Sequence, residues 1–265
     1  VKEILHFAHG NGFPSPCYQQ MLMHLRPRFD CYYIDKVGHT DEFPVSDNWH
    51  HLVDEVIASI TQQVSEPVIA VGHSLGGVLS LLAAIMEPSL FKAVILLDSP
   101  LIGRLKSSVV HVSKKMGLID RVTPAFQTRA RRTKWPSREA VLSYLKRRQL
   151  FQTFTEACLN DYIDYGLQKE GDGGYSLRFD PFVEYQIYRT IPHILYKYEG
   201  KLQVPAGVIY GNESNVVDKL DLGYMKKQFG IVNFKTIGTH MFPMEYPEAT
   251  ATLIMSVVDM LTQSG

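Results

Sequence analysis

The sequence predicts an α/β architecture: a mostly parallel, doubly wound sheet interrupted by a long helical insertion. Three observations carry that prediction. Short apolar, β-branched runs alternate with helix-patterned segments, the rhythm of βαβ units with right-handed crossovers. One of these runs, Pro67-Val68-Ile69-Ala70-Val71, ends at a glycine turn that opens directly into a good helix former. From about Leu101 to Leu195 the alternation lapses, leaving amphipathic segments over 138–153 and 156–167 and no convincing buried strand.

Taken in order, strands are expected at residues 3–8, 30–35, 68–71, 93–98, 206–210 and 233–237, each short, apolar and rich in β-branched or aromatic side chains. Helices are expected between most of them, at 16–25, 51–63, 76–86, 219–229 and 247–261. The sheet-forming parts are therefore 1–100 and 196–265. Residues 101–195 are expected to form a helical cap over the carboxyl edge of the sheet, where open α/β sheets bind ligands. A chain of 265 residues can bury roughly three quarters of the surface its unfolded form exposes, so one large core needs no metal or disulfide.

Composition argues against several classes. Lys and Arg together number 27, as do Asp and Glu, which leaves no overall attraction to nucleic acid. No apolar run approaches the ~18 residues of a membrane span, and the start has no basic segment followed by an apolar stretch. Cys17, Cys31 and Cys158 are odd in number and lack metal-ligand spacing, so they read as small apolar side chains of a reduced, cytoplasmic protein. Locally the charge is lopsided. Thirteen Lys or Arg lie between Arg104 and Arg148 against two acids, Asp120 and Glu139, while Glu156 to Glu184 holds seven acids against Lys169 and Arg178. Such runs are either solvated faces that balance each other or a basic rim that draws in an anionic substrate.

The chemistry centres on Gly72-His73-Ser74-Leu75-Gly76-Gly77. Glycines two residues before and two after a serine, between a strand and a helix, form the G-x-S-x-G turn that presents a hydroxyl at its tip. A Cβ at those glycines would meet neighbouring backbone. The hydroxyl needs a base, and histidine is the side chain suited to that near neutrality. Of ten histidines, His240 follows the last strand in Gly238-Thr239-His240 and should emerge at the same sheet edge as Ser74. Oxyanion donors are expected from the backbone N–H of Leu75 and of Asn11, in the loop His9-Gly10-Asn11-Gly12 after the first strand, with the Asn11 side-chain amide as an additional donor. His9 is read as bracing that loop.

These three motifs, in this order, resemble the α/β-hydrolase superfamily over roughly residues 3–98 and 200–262. The resemblance implies the α/β-hydrolase fold, a nucleophile–histidine–acid triad and a variable cap. The first two sheet strands typical of the superfamily are missing. Serine at the elbow argues against the branches that use an aspartate nucleophile. Most members carry the acid about three residues past the glycine after the penultimate strand, but Tyr210-Gly211-Asn212-Glu213-Ser214 places Ser214 there. Some relatives, including one group of haloalkane dehalogenases and certain small bacterial esterases, take it instead from the end of the strand after the nucleophile's own. Asp98 stands at that position and is the preferred acid, with Glu213 and then Asp218 as alternatives.

The mechanism this implies is double displacement: Ser74 attacks a carbonyl, His240 takes its proton, Asp98 fixes the imidazole tautomer, and water then releases the acyl group. No cofactor or metal is required. The expected substrate is a small-molecule carboxylic ester or thioester. A carbon–carbon bond hydrolase and a cofactor-free peroxidase would keep the same triad, and a ligand-binding protein with a silent triad is the alternative from another class.

Overall fold

The computed structural model describes residues 2–129 and 131–263. All six expected sheet strands are present: β1 (Glu3–Ala8), β2 (Phe29–Tyr33), β3 (Val68–His73) and β4 (Phe91–Leu97), then, numbered after three short strands of the insertion, β8 (Ala206–Gly211) and β9 (Val232–Thr236). They form one sheet in the order β2-β1-β3-β4-β8-β9, with every neighbouring pair parallel. Strand order reverses between β1 and β3, which is where such sheets open a crevice at their carboxyl ends. The loop after β1 and the turn after β3 both lie there.

Both faces of the sheet are covered, and the period-two alternation of the strands decides which side chain goes where. Leu5, Phe7, Ile69, Val71, Ile95 and Leu97 pack toward α1 (Gln19–Leu25) and α12 (Pro247–Thr262). On the other face Val68, Ala70, Val94, Leu96 and Val208 meet α2 (His50–Gln63), α3 (Leu75–Met86) and α10 (Lys219–Phe229). These side chains are fully buried, each of them larger than Ala70 contributing about 1.5–3 kcal/mol. Among the described residues no helix is long and apolar enough to cross a membrane.

The segment between β4 and β8 carries six helices among the described residues: α4 (Arg104–Lys115), α5 (Ile119–Val122), α6 (Ala125–Arg129), α7 (Arg138–Lys146), α8 (Glu156–Tyr165) and α9 (Pro181–Arg189). It is not wholly helical. Three short strands, β5 (Lys134–Trp135), β6 (Leu167–Lys169) and β7 (Tyr175–Leu177), form a small antiparallel sheet in the order β5-β7-β6. These are not the buried strands whose absence the sequence indicates but two- and three-residue, partly exposed ones, too short to show a period of two. The turn through Gly171–Gly174 closes the β6–β7 hairpin, where Asp172 accepts from the Gly174 N–H at 2.9 Å.

The lopsided charge is partly resolved by pairing. Lys106 bonds Asp218 and Asp221 at 2.7 and 2.8 Å, Arg104 pairs with Glu199 at 2.7 Å, and Arg131 pairs with Glu184 at 2.6 Å. Lys114 with Asp47, Arg138 with Asp164 and Lys146 with Glu156 complete six of the thirteen.

Candidate active site

At the end of β3 the chain turns through Ser74 with φ 52° and ψ −112°, a strained backbone for a residue with a Cβ. The turn holds because its neighbours leave no alternative. Ser74 N–H donates to the Leu97 carbonyl at 2.9 Å and Gly76 N–H to the His9 carbonyl at 3.1 Å. A Cβ on Gly72 would lie 2.3 Å from the Gly76 carbonyl carbon, and one on Gly76 would lie 2.1 Å from the Ala8 carbonyl oxygen. Backbone on both sides cannot step aside. Gly76→Ala is therefore expected to cost about 3 kcal/mol or more, or roughly 6–12 °C in Tm. Thermal denaturation checks this, and a shift under about 2 °C would mean the elbow has room to open.

Asp98 ends β4, also at positive φ (46°), and is completely buried. Its Oδ2 accepts from His240 Nδ1 at 2.7 Å and from the Ser214 hydroxyl at 2.5 Å, and its Oδ1 accepts from the Gly211 N–H at 3.2 Å. A buried carboxylate needs such donors, and the bond to Nδ1 leaves Nε2 as the ring nitrogen free to serve the serine. Ser74, His240, Asn11 and Leu75 all line one cavity of about 480 Å³, whose remaining walls are largely apolar, among them Trp49, Val78, Val122 and Ile187. Among the described residues no hydrogen bond yet joins the Ser74 hydroxyl to the imidazole; such bonds commonly tighten only with substrate bound. Glu213, the alternative acid, is exposed. Asp218 is occupied as the N-cap of α10 and as a partner of Lys106.

No acceptor takes the backbone N–H of Asn11 or Leu75 among the described residues. The Asn11 side chain departs from expectation: its Nδ2 donates to the Glu184 carbonyl at 3.0 Å. The amide thus ties the β1 loop to α9, and the backbone N–H of Asn11 is left without an acceptor among the described residues. His9 braces the loop as expected, with Nδ1 on the Gly10 carbonyl at 2.8 Å and Nε2 accepting from Val37 N–H at 2.9 Å. Burial pulls its pKa down to about 4, so the ring is neutral.

Three residues that the sequence did not mark complete the site. His73 Nε2 faces the carbonyl oxygen of His240 at 2.9 Å, and that oxygen only accepts, so the proton sits on Nε2. Nδ1 then accepts from the Tyr18 hydroxyl at 2.7 Å, whose oxygen accepts from Gly10 N–H at 3.2 Å. One buried relay thus joins the β1 loop, the elbow and the base loop. Burial holds the His73 pKa well below the ordinary histidine range, keeping the relay uncharged. Glu245 fixes the base loop from the other side, accepting from the Thr239 N–H and hydroxyl at 2.8 and 2.6 Å. Each of these contacts joins residues from distant or loop segments with no spacing rule to announce them.

The three cysteines are free, and burial raises the Cys31 and Cys158 thiols to about 11, which suits apolar packing and not a nucleophile. Among the described residues no group of three or more His, Cys, Asp or Glu is arranged to hold a metal ion.

Comparison with known proteins agrees with this fold. The family model for the alpha/beta hydrolase family matches residues 7–253. A Bacillus subtilis (strain 168) protein described as the uncharacterized hydrolase YugF is 30% identical over 178 residues, 64% of this chain. The match spans 56% of that relative's own length. Among solved structures, a thioesterase domain from the curacin biosynthetic pathway superposes with a TM-score of 0.74 at 18% identity, covering 96% of this chain and 91% of that one. E-2-(acetamidomethylene)succinate hydrolase gives 0.74 at 20% identity, with 97% and 91% covered. At such identities the likeness is one of fold. The family match spans nearly the whole sheet and both ends of the site, and the chain belongs to the alpha/beta hydrolase family.

Proposed function

We propose that this hydrolase cleaves small-molecule carboxylic esters or thioesters through an acyl-serine intermediate. Ser74 is the nucleophile, His240 the base and then the acid, and Asp98 the group that holds Nδ1–H toward itself and steadies the imidazolium. The N–H groups of Asn11 and Leu75 receive the oxyanion, with the amino end of α3 adding its partial positive charge. Residues 101–195 act as a cap whose Val122, Pro124 and Tyr188 wall the substrate cavity.

The observation that carries the reading is the 2.7 Å bond from His240 Nδ1 to the buried Asp98, with Ser74 and His240 on one cavity wall. A carbonyl carbon at Ser74 Oγ can be attacked while Nε2 takes the proton, and the leaving alcohol or thiol takes it back. Water then repeats the sequence on the acyl-enzyme.

Rapid quench of the protein with p-nitrophenyl acetate, followed by peptide mass spectrometry, tests this. An acetyl group on the peptide containing Ser74 is expected, formed in step with a burst of nitrophenol. Steady release of nitrophenol with no acyl group on that peptide would remove the acyl-serine mechanism.

A further inference from the structure

We propose that the cavity enclosed by α6, α7 and α9 is a second substrate subsite, taking an anionic group, carboxylate or phosphate, at the far end of the molecule whose carbonyl meets Ser74. The proposal rests on the ester or thioester hydrolase reading and names the substrate class for it. The cavity measures about 550 Å³ and shares Pro124 and Tyr188 with the cavity that holds Ser74, so the two adjoin at those residues.

Its charge is positive by elimination. Arg131 and Glu184 both line it, but they bond each other at 2.6 Å, and Arg131 also bonds the Tyr162 hydroxyl, so that pair is spent. Arg148 remains. Its guanidinium lies 4.5 Å from the centre of the Tyr144 ring. Arg132, 6.0 Å from the same ring, does not line the cavity and donates its Nε–H to the Lys134 carbonyl at 2.8 Å. No carboxylate pairs with Arg148 among the described residues, unlike the six cations of this segment that pair elsewhere. An arginine laid against an aromatic face keeps its N–H edges open for a planar or tetrahedral anion and loses little freedom on binding one.

A second observation points to the same ligand. Trp135 lies between this cavity and a neighbouring one that Glu170 and Asp172 also line, is only 4% exposed, and its indole N–H has no acceptor among the described residues. Buried donors are ordinarily satisfied, and an anionic oxygen in the cavity would supply what is missing. Of the basic residues of 104–148, six fasten the cap through ion pairs, and Arg148 is the one without a carboxylate partner among the described residues that lines this cavity.

Three p-nitrophenyl esters of matched chain length test the proposal: hexanoate, the monoester of adipate, and that of 6-phosphonohexanoate. Wild type is expected to favour at least one anionic ester over hexanoate by about tenfold in kcat/KM, mainly through KM, with the margin shrinking as salt rises. The favoured anion identifies carboxylate or phosphate as the group recognised. Arg148→Gln should bring the ratio near unity. Because the ratio is read within one protein, a general loss of folded enzyme cancels. Lys115→Gln, in the same basic segment but outside the cavity, should keep it. Equal kcat/KM for all three esters in wild type, a preference that survives Arg148→Gln, or an equal loss in Lys115→Gln would each overturn the proposal. Calorimetric titration with hexanoate, adipate and 6-phosphonohexanoate reads the same preference without turnover, so this subsite is judged separately from the Ser74 reading.

Discussion

Replacing Ser74 with alanine is expected to lower the turnover of p-nitrophenyl acetate and butyrate by about 10⁴–10⁶-fold. In the proposed mechanism the serine alone forms a bond to the substrate, and His240 and Asp98 act only through it. What remains is the oxyanion pair and the cavity, which together still hold the ester and stabilise some charge. The fold should not notice the change. The Ser74 hydroxyl has no hydrogen-bond partner among the described residues, and the turn is held by its backbone bond to Leu97 and by the flanking glycines. Tm should therefore stay within about 2 °C of wild type. Equal turnover by the variant and the wild type would end the esterase reading.

Asp98→Asn is expected to lower kcat by about 10³–10⁴-fold, while Glu213→Gln stays within about twofold. The reason lies in the donors that surround the carboxylate. Oδ1 receives the Gly211 N–H, and Oδ2 receives both the Ser214 hydroxyl and His240 Nδ1. An asparagine must turn its NH₂ toward one of those sides. Facing Gly211, it sets donor against donor; facing His240, it obliges Nδ1 to accept, which moves the ring proton to Nε2 and leaves nothing to receive the serine proton. Glu213 is exposed on the adjoining loop, so its charge is screened by solvent. Steady-state kinetics on the two variants decides the matter. A crippled Glu213→Gln beside an active Asp98→Asn would move the acid to the later loop.

The Ser214 hydroxyl bears on how the site can be read from residues alone. In the sequence it marks the place where an acid is missing. In the folded chain it donates to the acid that replaces it, so the empty slot becomes part of the carboxylate's support. The relay from Gly10 through Tyr18 and His73 to His240 is of the same kind. Tyr18 looks like an ordinary aromatic residue before α1, and His73 like a filler in the G-x-S-x-G turn. Their roles appear only when loops after two different strands meet.

All six long strands were legible: β3, β4 and β8 are apolar runs buried almost throughout, while the half-exposed edge strands β2 and β9 show instead through aromatic and β-branched residues bounded by turns. The bounds shift by only a few residues, as β2 does in ending at Tyr33 rather than at residue 35. The small sheet of β5, β6 and β7 was not legible, since its strands are shorter than one repeat of any pattern. The Asn11 amide, expected to help the oxyanion, is taken by a carbonyl 173 residues away.

By itself the sequence determined the parallel sheet, the glycine turn that must carry Ser74 at its tip, and the loops that must carry Asn11 and His240 to the same edge. Those follow from local sterics and from the alternation of apolar side chains, which act over a few residues. Only the tertiary structure decided which carboxylate faces the imidazole, which side-chain donors are already engaged, and which cations of the cap remain unpaired. Each of those depends on a hydrogen bond or ion pair a few ångströms long between residues far apart in the chain, and nothing in residue order measures that distance.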